Sequence, residues 1–165
     1  MKYIISTLLT LALAVGIASP VQAKRGSDGQ LNLLYWQAPS TMNPNLSGGT
    51  KELEASSVVL EPLGRYDENG NLLAWLAEEI PTVANGGISK DLTTITWKIK
   101  KGIKWSDGSA LTADDAVFTY EYCSNPDTGC TQSNYWSDIK SVTAVNSLTV
   151  KVEFTVPKPF PYAPF

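Results

Sequence analysis

Residues 93–122, TTITWKIKKGIKWSDGSALTADDAVFTYEY, carry the clearest structural pattern in this sequence. Within this stretch, residues 93–100 alternate between two kinds of side chain. Ile95, Trp97 and Ile99 fall on one face, and Thr or Lys residues fall on the other. An alternation with a period of two is typical of a half-buried β-strand. We therefore predict a strand here, with the three apolar side chains facing the core.

The second half of the same stretch predicts turns, a further strand and a helix. Gly102 interrupts the alternation, residues 103–105 resume it, and residues 106–109 (SDGS) turn the chain again. Thr112 and Asp115 have the spacing of a capping box, with Thr112 as the N-cap and Asp115 at the third helical position. The whole stretch thus predicts a strand, a second strand and a capped helix.

The first 23 residues predict a secretory signal peptide. Lys2 precedes an apolar run over residues 4–17, and residues 21–23 (VQA) suit a signal peptidase. The run is too short, and too often interrupted by Ser and Thr, to cross a bilayer as a helix. We expect cleavage after Ala23, which leaves an exported, soluble chain of 142 residues (165 minus 23) with no direct membrane insertion.

Charge and composition argue against several classes of partner and of enzyme. The net charge is −3, and it becomes −4 when Lys2 leaves with the signal peptide, which argues against nucleic acid or an anionic membrane as a partner. The absence of histidine excludes Ser-His-Asp and Cys-His sites and imidazole metal ligands. Asp114 and Asp115 are adjacent, so they would not face each other on a helix, and its capped first turn accounts for them. We predict no enzyme, cofactor or metal site.

Cys123 and Cys130 predict a disulfide at the end of the helix. Two cysteines this close in an exported chain favour a bridge over a metal site, which would need further ligands from carboxylates. The chain-entropy model gives about 2.5 kcal/mol for closing a loop of this length. We interpret the pair as a structural staple.

The other segments predict a mixture of short strands, helices and turns. Residues 31–36 (LNLLYW) suit a buried strand, and Thr50 begins a helix that runs to about Leu60. Further predictions are a hairpin turn at 67–71, a helical turn at 75–80, and a hairpin with arms 139–145 and 148–154. The predicted fold class is α/β, of the mixed α+β kind within this chain.

Two segments admit two interpretations each. The loop at 35–44 follows an apolar strand and contains two prolines, so it is either a ligand-contacting loop or a plain connection. Residues 157–165 (PKPFPYAPF) are aromatic and rich in proline, whereas a natural terminus is usually polar. This ending either docks on a partner surface or continues into a longer protein.

Residues 97–122 resemble the signature block of the extracellular solute-binding proteins of family 5, the oligopeptide-, dipeptide- and nickel-type binding proteins of ABC importers. Ala116 departs from the family pattern, in which Val is more usual. The likeness extends in the family's order over residues 28–165. The residues that match the signature are Trp97, Lys100, Gly102, Lys104, Trp105, Asp107, Gly108, Thr112, Ala113, Asp115, Val117 and Tyr120.

The resemblance implies a two-lobed fold of the periplasmic binding protein-like II type. Residues 24–50 would supply the first strand and loop of lobe one, and residues 51–165 an additional small domain that is incomplete at its C-terminal side. Family members are several times longer, so we expect an N-terminal piece of a larger protein. In peptide-binding members the loop after the first strand lines the cleft, and a Tyr of the small domain approaches the ligand. The corresponding residues are Trp36, Gln37, Ala38, Pro39, Ser40, Thr41 and Tyr135.

The expected function is that of a substrate-binding component of an ABC transporter. It would capture peptides or similar small solutes in the periplasm and deliver them to the permease subunits by closure of two lobes, without a cofactor. We expect this chain alone to bind no peptide, because half a cleft buries little ligand. The alternative is a small exported structural or protein-interaction domain, stapled by Cys123 and Cys130, with the proline-rich ending as its docking surface.

Overall fold

The N-terminal part of the chain does not form the strand that its apolar run predicts. The structure, a computed structural model, describes Gly29 and residues 32–163, which divide into two units between Trp36 and Gln37. The predicted signal peptide lies outside the described residues. Residues 32–36 have no regular secondary structure, and Leu34 is fully exposed. An apolar run becomes a strand only where other strands bond its backbone, and none of the described strands pairs with it.

Helix α1 (Thr50–Ser56) opens the regular structure of the second unit and is shorter than the sequence predicts. Its N-cap is Gly49, not the threonine that follows, and it ends well before Leu60. The hydroxyls of Ser56 and Ser57 each donate to the carbonyl three residues earlier, at 2.9 and 2.7 Å. Such local bonds compete with the helical ladder, which is why the helix stops here.

A short hairpin follows, formed by β1 (Gly64–Tyr66) and β2 (Leu72–Ala74), and it confirms the turn predicted at 67–71. The carboxylate of Asp67 accepts two backbone N–H groups of the turn, at 2.8 and 2.9 Å. These bonds, together with one from the Asn71 side chain, hold the pKa of Asp67 below its usual value. Gly70 has a positive φ of 80°, which favours glycine at this position.

A three-stranded antiparallel sheet forms the core of the second unit. Its strands are β3 (Thr94–Lys98), β4 (Ile139–Asn146) and β5 (Thr149–Phe154), in the order β3-β5-β4. The strand predicted at 93–100 and the hairpin predicted at 139–154 are both confirmed. The apolar side chains of the first strand face the core, as its alternation predicts. The mixed α+β class is confirmed as well. Four side chains of β3 and β5 are completely buried, namely Ile95, Trp97, Val150 and Val152.

The outer edge of β3 is covered by a segment for which the sequence predicts a helical turn. Residues 75–80 are not helical. Ala77 forms an isolated bridge with Ile99, and the N–H of Glu78 donates to the carbonyl of Lys98 at 2.8 Å. The helical prediction is wrong because these backbone groups pair with a strand that is distant in sequence.

The second strand predicted at 103–105 shrinks to one bridge, between Lys104 and Ala110. The turn between them is tight, because the carboxylate of Asp107 accepts the N–H and the hydroxyl of Ser109 at 2.8 and 2.7 Å. Gly108 sits at a φ of 90°. The local interpretation of this turn is therefore confirmed, whereas the strand around it is not.

Helix α2 (Ala113–Ser124) packs against the sheet and begins where the capping box predicts. The carboxylate of Asp115 accepts the backbone N–H of Thr112 at 2.7 Å. Near the C-terminal end of the helix, the ring of Tyr120 lies 6.0 Å from that of Trp136. Trp136 is buried and belongs to the short 3-10 helix Ser133–Trp136.

The disulfide between Cys123 and Cys130 is present, which confirms its prediction. It joins the last turn of α2 to the segment that leads into the 3-10 helix. Both cysteines are buried. The bridge thus fixes the path of the chain between α2 and β4.

The described part of the proline-rich ending packs on the second unit itself. Pro161 is buried, and the hydroxyl of Tyr162 donates to the carbonyl of Pro81 at 2.9 Å. The ring of Tyr162 stands edge-on to that of Trp97 at 6.1 Å. Burial, and to a lesser extent the nearby Tyr66, raises the pKa of the Tyr162 hydroxyl. Pro161 and Tyr162 therefore pack on the core of the unit, whereas Phe160 is 61% exposed, and docking of this ending on a partner stays a prediction.

Candidate functional site

The residues predicted to contact a ligand lie on separate segments. Residues 37–40 are exposed and Thr41 is half-buried; they begin the stretch 37–47, called the 37–47 loop below. Tyr135 is 53% exposed on its 3-10 helix. Trp36 belongs to the N-terminal unit, where its side chain is 70% exposed and its ring lies 6.0 Å from that of Tyr35. Ligand contact by these residues stays a prediction.

The carboxylate of Glu52, in the first turn of α1, fastens the start of the 37–47 loop. Its Oε1 accepts the backbone N–H of Ser40 at 2.9 Å and the hydroxyl of the same residue at 2.6 Å. The ammonium group of Lys51 lies 2.7 Å from this oxygen and donates to the carbonyl of Ala38 at 3.1 Å. Two consecutive helical residues therefore hold both sides of Pro39.

Glu52 is charged although its side chain is only 1% exposed. Burial alone would raise the pKa of a carboxyl group, because it disfavours the charged form. The hydrogen bond from Lys51 and the two from Ser40 outweigh this effect and lower the pKa of Glu52 from 4.5 to about 2. The carboxylate is thus a permanent acceptor at neutral pH.

Gly49 leaves the space that this carboxylate occupies. A Cβ at this position would lie 2.5 Å from Oε2 of Glu52, which is closer than two such atoms approach. A Glu at the third helical position commonly turns back to the N-cap backbone. Here its Oε1 reaches Ser40 instead, twelve residues earlier in the chain.

The far end of the 37–47 loop is fastened to the segment after the disulfide. The loop ends in the 3-10 helix Pro44–Leu46 and the residue after it. The carbonyl of Pro44 accepts a hydrogen bond from the side-chain amide of Gln132, and the carbonyl of Asn45 accepts one from the N–H of Thr131, both at 2.8 Å. Because Thr131 follows Cys130 directly, the bridge that staples α2 also positions the partner of the loop.

Tyr135 borders a small cavity of about 160 Å³ on the same side of the disulfide segment. Asp138 and Lys158 form an ion pair in its wall, and Phe160 lies beside them. The cavity is polar in part, so it can accept a small polar group.

A larger apolar groove, of about 610 Å³, lies beside the 37–47 loop. The 3-10 helix of the loop and Gln132 border it, and Phe118 of α2 is 65% exposed there. No sequence pattern pointed to this groove, because its walls come from segments far apart in the chain. Its main apolar side chains are Leu53, Leu60, Trp105, Leu111, Phe118 and Trp136.

Two further kinds of feature are absent from the described residues. Within residues 32–163, no three His, Cys, Asp or Glu side chains are grouped so that they could hold a metal ion. In the same part of the chain, no helix combines the length and the apolar character that crossing a membrane requires. What the site presents is exposed backbone, aromatic rings and apolar surface.

Sequence reasoning missed the side chains that hold the 37–47 loop. The sequence assigned no role in holding this loop to Glu52 or to Gln132. Their partners lie 12 and 88 residues away in the sequence. No local pattern encodes contacts over such separations, so a sequence signal for them was not available.

The second unit is thus a mixed α+β fold that carries an exposed loop held by polar side chains, with an apolar groove beside it. The family model described as "Bacterial extracellular solute-binding proteins, family 5 Middle" matches residues 71–165. The chain belongs to this family. The resemblance seen in residues 97–122 is thereby confirmed.

Individual relatives agree with this assignment. A probable ABC transporter-binding protein of Deinococcus radiodurans is 32% identical over 168 residues, which cover 93% of this chain and 27% of the relative. The crystal structure of Haemophilus influenzae OppA in complex with RPPGFSPFR matches 75% of this chain and 26% of its own, with 26% identity and a TM-score of 0.68. NikZ of Campylobacter jejuni, crystallised with Ni(L-His), matches 76% of this chain and 24% of its own, with 28% identity and a TM-score of 0.65. The chain thus spans about a quarter of the length of these relatives.

Proposed function

We propose that this chain is part of the substrate-binding component of an ABC importer. It captures peptides or similar small solutes in the periplasm and delivers them to the permease subunits of the transporter. The signal peptide directs its export and is cleaved after Ala23. The observation that carries this proposal is the likeness of 75% of this chain, with a TM-score of 0.68, to a protein crystallised with RPPGFSPFR.

A peptide suits the 37–47 loop better than a nickel complex does. The residues at its start are exposed, and the backbone groups that Glu52 and Lys51 do not engage can bind an extended peptide without reading its side chains. A metal complex is the second candidate ligand, because one relative was crystallised with Ni(L-His). The described part of this chain has no cluster of metal-binding side chains, so nickel would have to arrive already chelated.

The chain supplies one wall of the binding cleft. Residues 24–50 belong to the first lobe, and residues 51–165 form its small domain. Trp36, the residues from Gln37 to Thr41, and Tyr135 contact the solute. A ligand pocket buries most of the surface of its ligand, and one wall cannot do so. Residues 24–165 alone therefore bind peptides too weakly to measure.

Isothermal titration calorimetry tests the proposal with two proteins and the peptide RPPGFSPFR. We expect no binding heat with residues 24–165, and binding with a longer protein that includes the region following residue 165. Ni(L-His) is titrated in parallel, and we expect it to bind less tightly than the peptide. Micromolar affinity of residues 24–165 alone would disprove the one-wall arrangement. Failure of the longer protein to bind either this peptide or a mixed peptide pool would disprove the proposed function.

A further inference from the structure

We infer that Glu52 is a positioning residue for the 37–47 loop, which it holds in its solute-contacting geometry before any solute arrives. The inference rests on the proposed function, because that function makes the start of the loop a contact surface. It adds a role that neither the family assignment nor the sequence pattern gives to this carboxylate.

Several donors converge on one carboxylate oxygen of Glu52. Oε1 of Glu52 receives the N–H and the hydroxyl of Ser40 and lies beside the ammonium group of Lys51. Hydrogen bonds to a charged acceptor are about twice as strong as neutral ones. A bond to the backbone N–H, unlike one to a side chain alone, fixes the path of the chain. The carboxylate therefore defines where the loop runs.

The carboxylate of Glu52 does not bond to its usual local partner, the N-cap backbone. At the third helical position, Glu normally caps its own helix by bonding to the N-cap backbone. The N-cap here is Gly49, and any Cβ there would displace Oε2 from its present place. Glycine at the N-cap and glutamate three residues later thus form a matched pair that directs the carboxylate to the loop.

The segment that the carboxylate holds is exposed to solvent. Residues 37–40 are exposed, so no apolar burial fixes them. An unrestrained loop would lose conformational freedom when a solute ordered it, and that loss would weaken binding. Glu52 holds one end and the contact between Gln132 and Pro44 holds the other. The loop is thereby ordered in advance of binding.

Amide hydrogen exchange of Ser40 reports directly on this contact. In Glu52→Ala we expect exchange at Ser40 to become about tenfold faster or more, as the loss of a charge-assisted hydrogen bond predicts. Glu52→Gln should show a smaller increase, because its amide oxygen can still accept from Ser40. The amides of β5 should exchange as in the wild type, which shows that the unit remains folded.

Gly49→Ala offers a second route that leaves the charge in place. The backbone angles of Gly49 (φ −74°, ψ 140°) are accessible to alanine, so the added methyl group acts by displacing the carboxylate. We expect its effect at Ser40 to resemble that of Glu52→Ala. The matched control is Glu54→Gln, which removes the same charge from an exposed position of the same helix and should change nothing. Unchanged exchange at Ser40 in both Glu52→Ala and Gly49→Ala would overturn the inference.

Affinity in the longer protein separates this inference from the proposed function. We expect RPPGFSPFR to bind about tenfold more weakly to Glu52→Ala and Gly49→Ala, and to bind to Glu54→Gln as to the wild type. Equal affinities in all four proteins would overturn the positioning role while leaving the proposed function intact. A wild-type protein that binds no peptide would overturn the proposed function, and the exchange rates would then decide alone whether Glu52 holds the loop.

Discussion

Trp97 and Trp36 belong to two regions whose shapes are fixed in opposite ways. Trp97, in β3, is fully buried, and every second residue of its strand also faces the core. Trp36 is 70% exposed and directly precedes the 37–47 loop, whose start is held by hydrogen bonds to Glu52. In the sheet, apolar burial determines the geometry and leaves little freedom. At the start of the loop, hydrogen bonds with Glu52 and Lys51 determine the geometry, and residues 37–40 stay exposed.

The largest expected difference between the two regions is in their contribution to stability. Trp97→Ala should lower the free energy of unfolding by about 3–5 kcal/mol, because it leaves a large cavity in the sheet core. Trp36→Ala, the same substitution at an exposed position, should change it by no more than about 0.5 kcal/mol. Urea denaturation followed by circular dichroism measures both values. Similar losses in the two variants would show that the exposed segment contributes to the fold as much as the sheet does.

The disulfide should have the next largest effect, and it tests how far the two regions are linked. Replacing Cys123 and Cys130 together with alanine should lower the free energy of unfolding by about 2.5 kcal/mol. Because Thr131 lies next to the bridge, we also expect faster amide exchange at Thr131 and in the 3-10 helix Pro44–Leu46. The same measurement on β3 serves as the control. Slow exchange at Thr131 in the double variant would show that the loop does not depend on the bridge.

The last expected effect is a pH dependence of stability, confined to acid, that comes from Glu52. Its pKa is about 2 in the folded chain and near 4.5 when unfolded, so the unfolded chain binds more protons between these values. Its contribution to stability is therefore complete above about pH 4.5 and is lost as the pH falls towards about 2. The stability difference between wild type and Glu52→Gln should be constant at neutral pH and shrink in this window.

Other carboxylates contribute to acid unfolding, so the matched variant is essential. Asp91, Asp107 and Glu153 also have a lowered pKa, owing chiefly to hydrogen bonds from Ser89, Ser109 and Lys151 respectively. Their protonation in acid destabilises the wild type and Glu52→Gln equally. The difference in unfolding free energy between the two proteins therefore isolates the contribution of Glu52. A difference that stays constant down to pH 2 would show that this carboxylate is not held as described.

Local elements could be predicted from the sequence because their causes are local. The alternation around Trp97, the capping box at Thr112 and Asp115, and the hairpin turn at 67–71 each act within a few residues. The disulfide was predictable because its cysteines are close in the chain. The family was also accessible from residues 97–122, since these turn and strand residues recur in a fixed order.

The errors arise where the hydrogen-bond partners of a segment differ from those that its local pattern suggests. Residues 75–80 look helical by themselves, but their backbone pairs with the edge of β3. The apolar run at 31–36 lacks strands to pair with in the described chain, and the strand at 103–105 is cut short by its own tight turn. In each case the local preference was overruled by the hydrogen-bond partners that were or were not within reach.

The sequence by itself determined the strands of the sheet, the capped helix, the disulfide and the family of this protein, whereas the pairing of β3 with β5 came from the structure. Alternation, capping and cysteine spacing depend on residues that are close in the sequence, so a single sequence is enough to predict the structures that they form. Only the tertiary structure decided how the 37–47 loop is held, through Glu52 at one end and Gln132 at the other. The reason is that a buried carboxylate takes whichever donors the fold brings to it, and here one of them comes from twelve residues away.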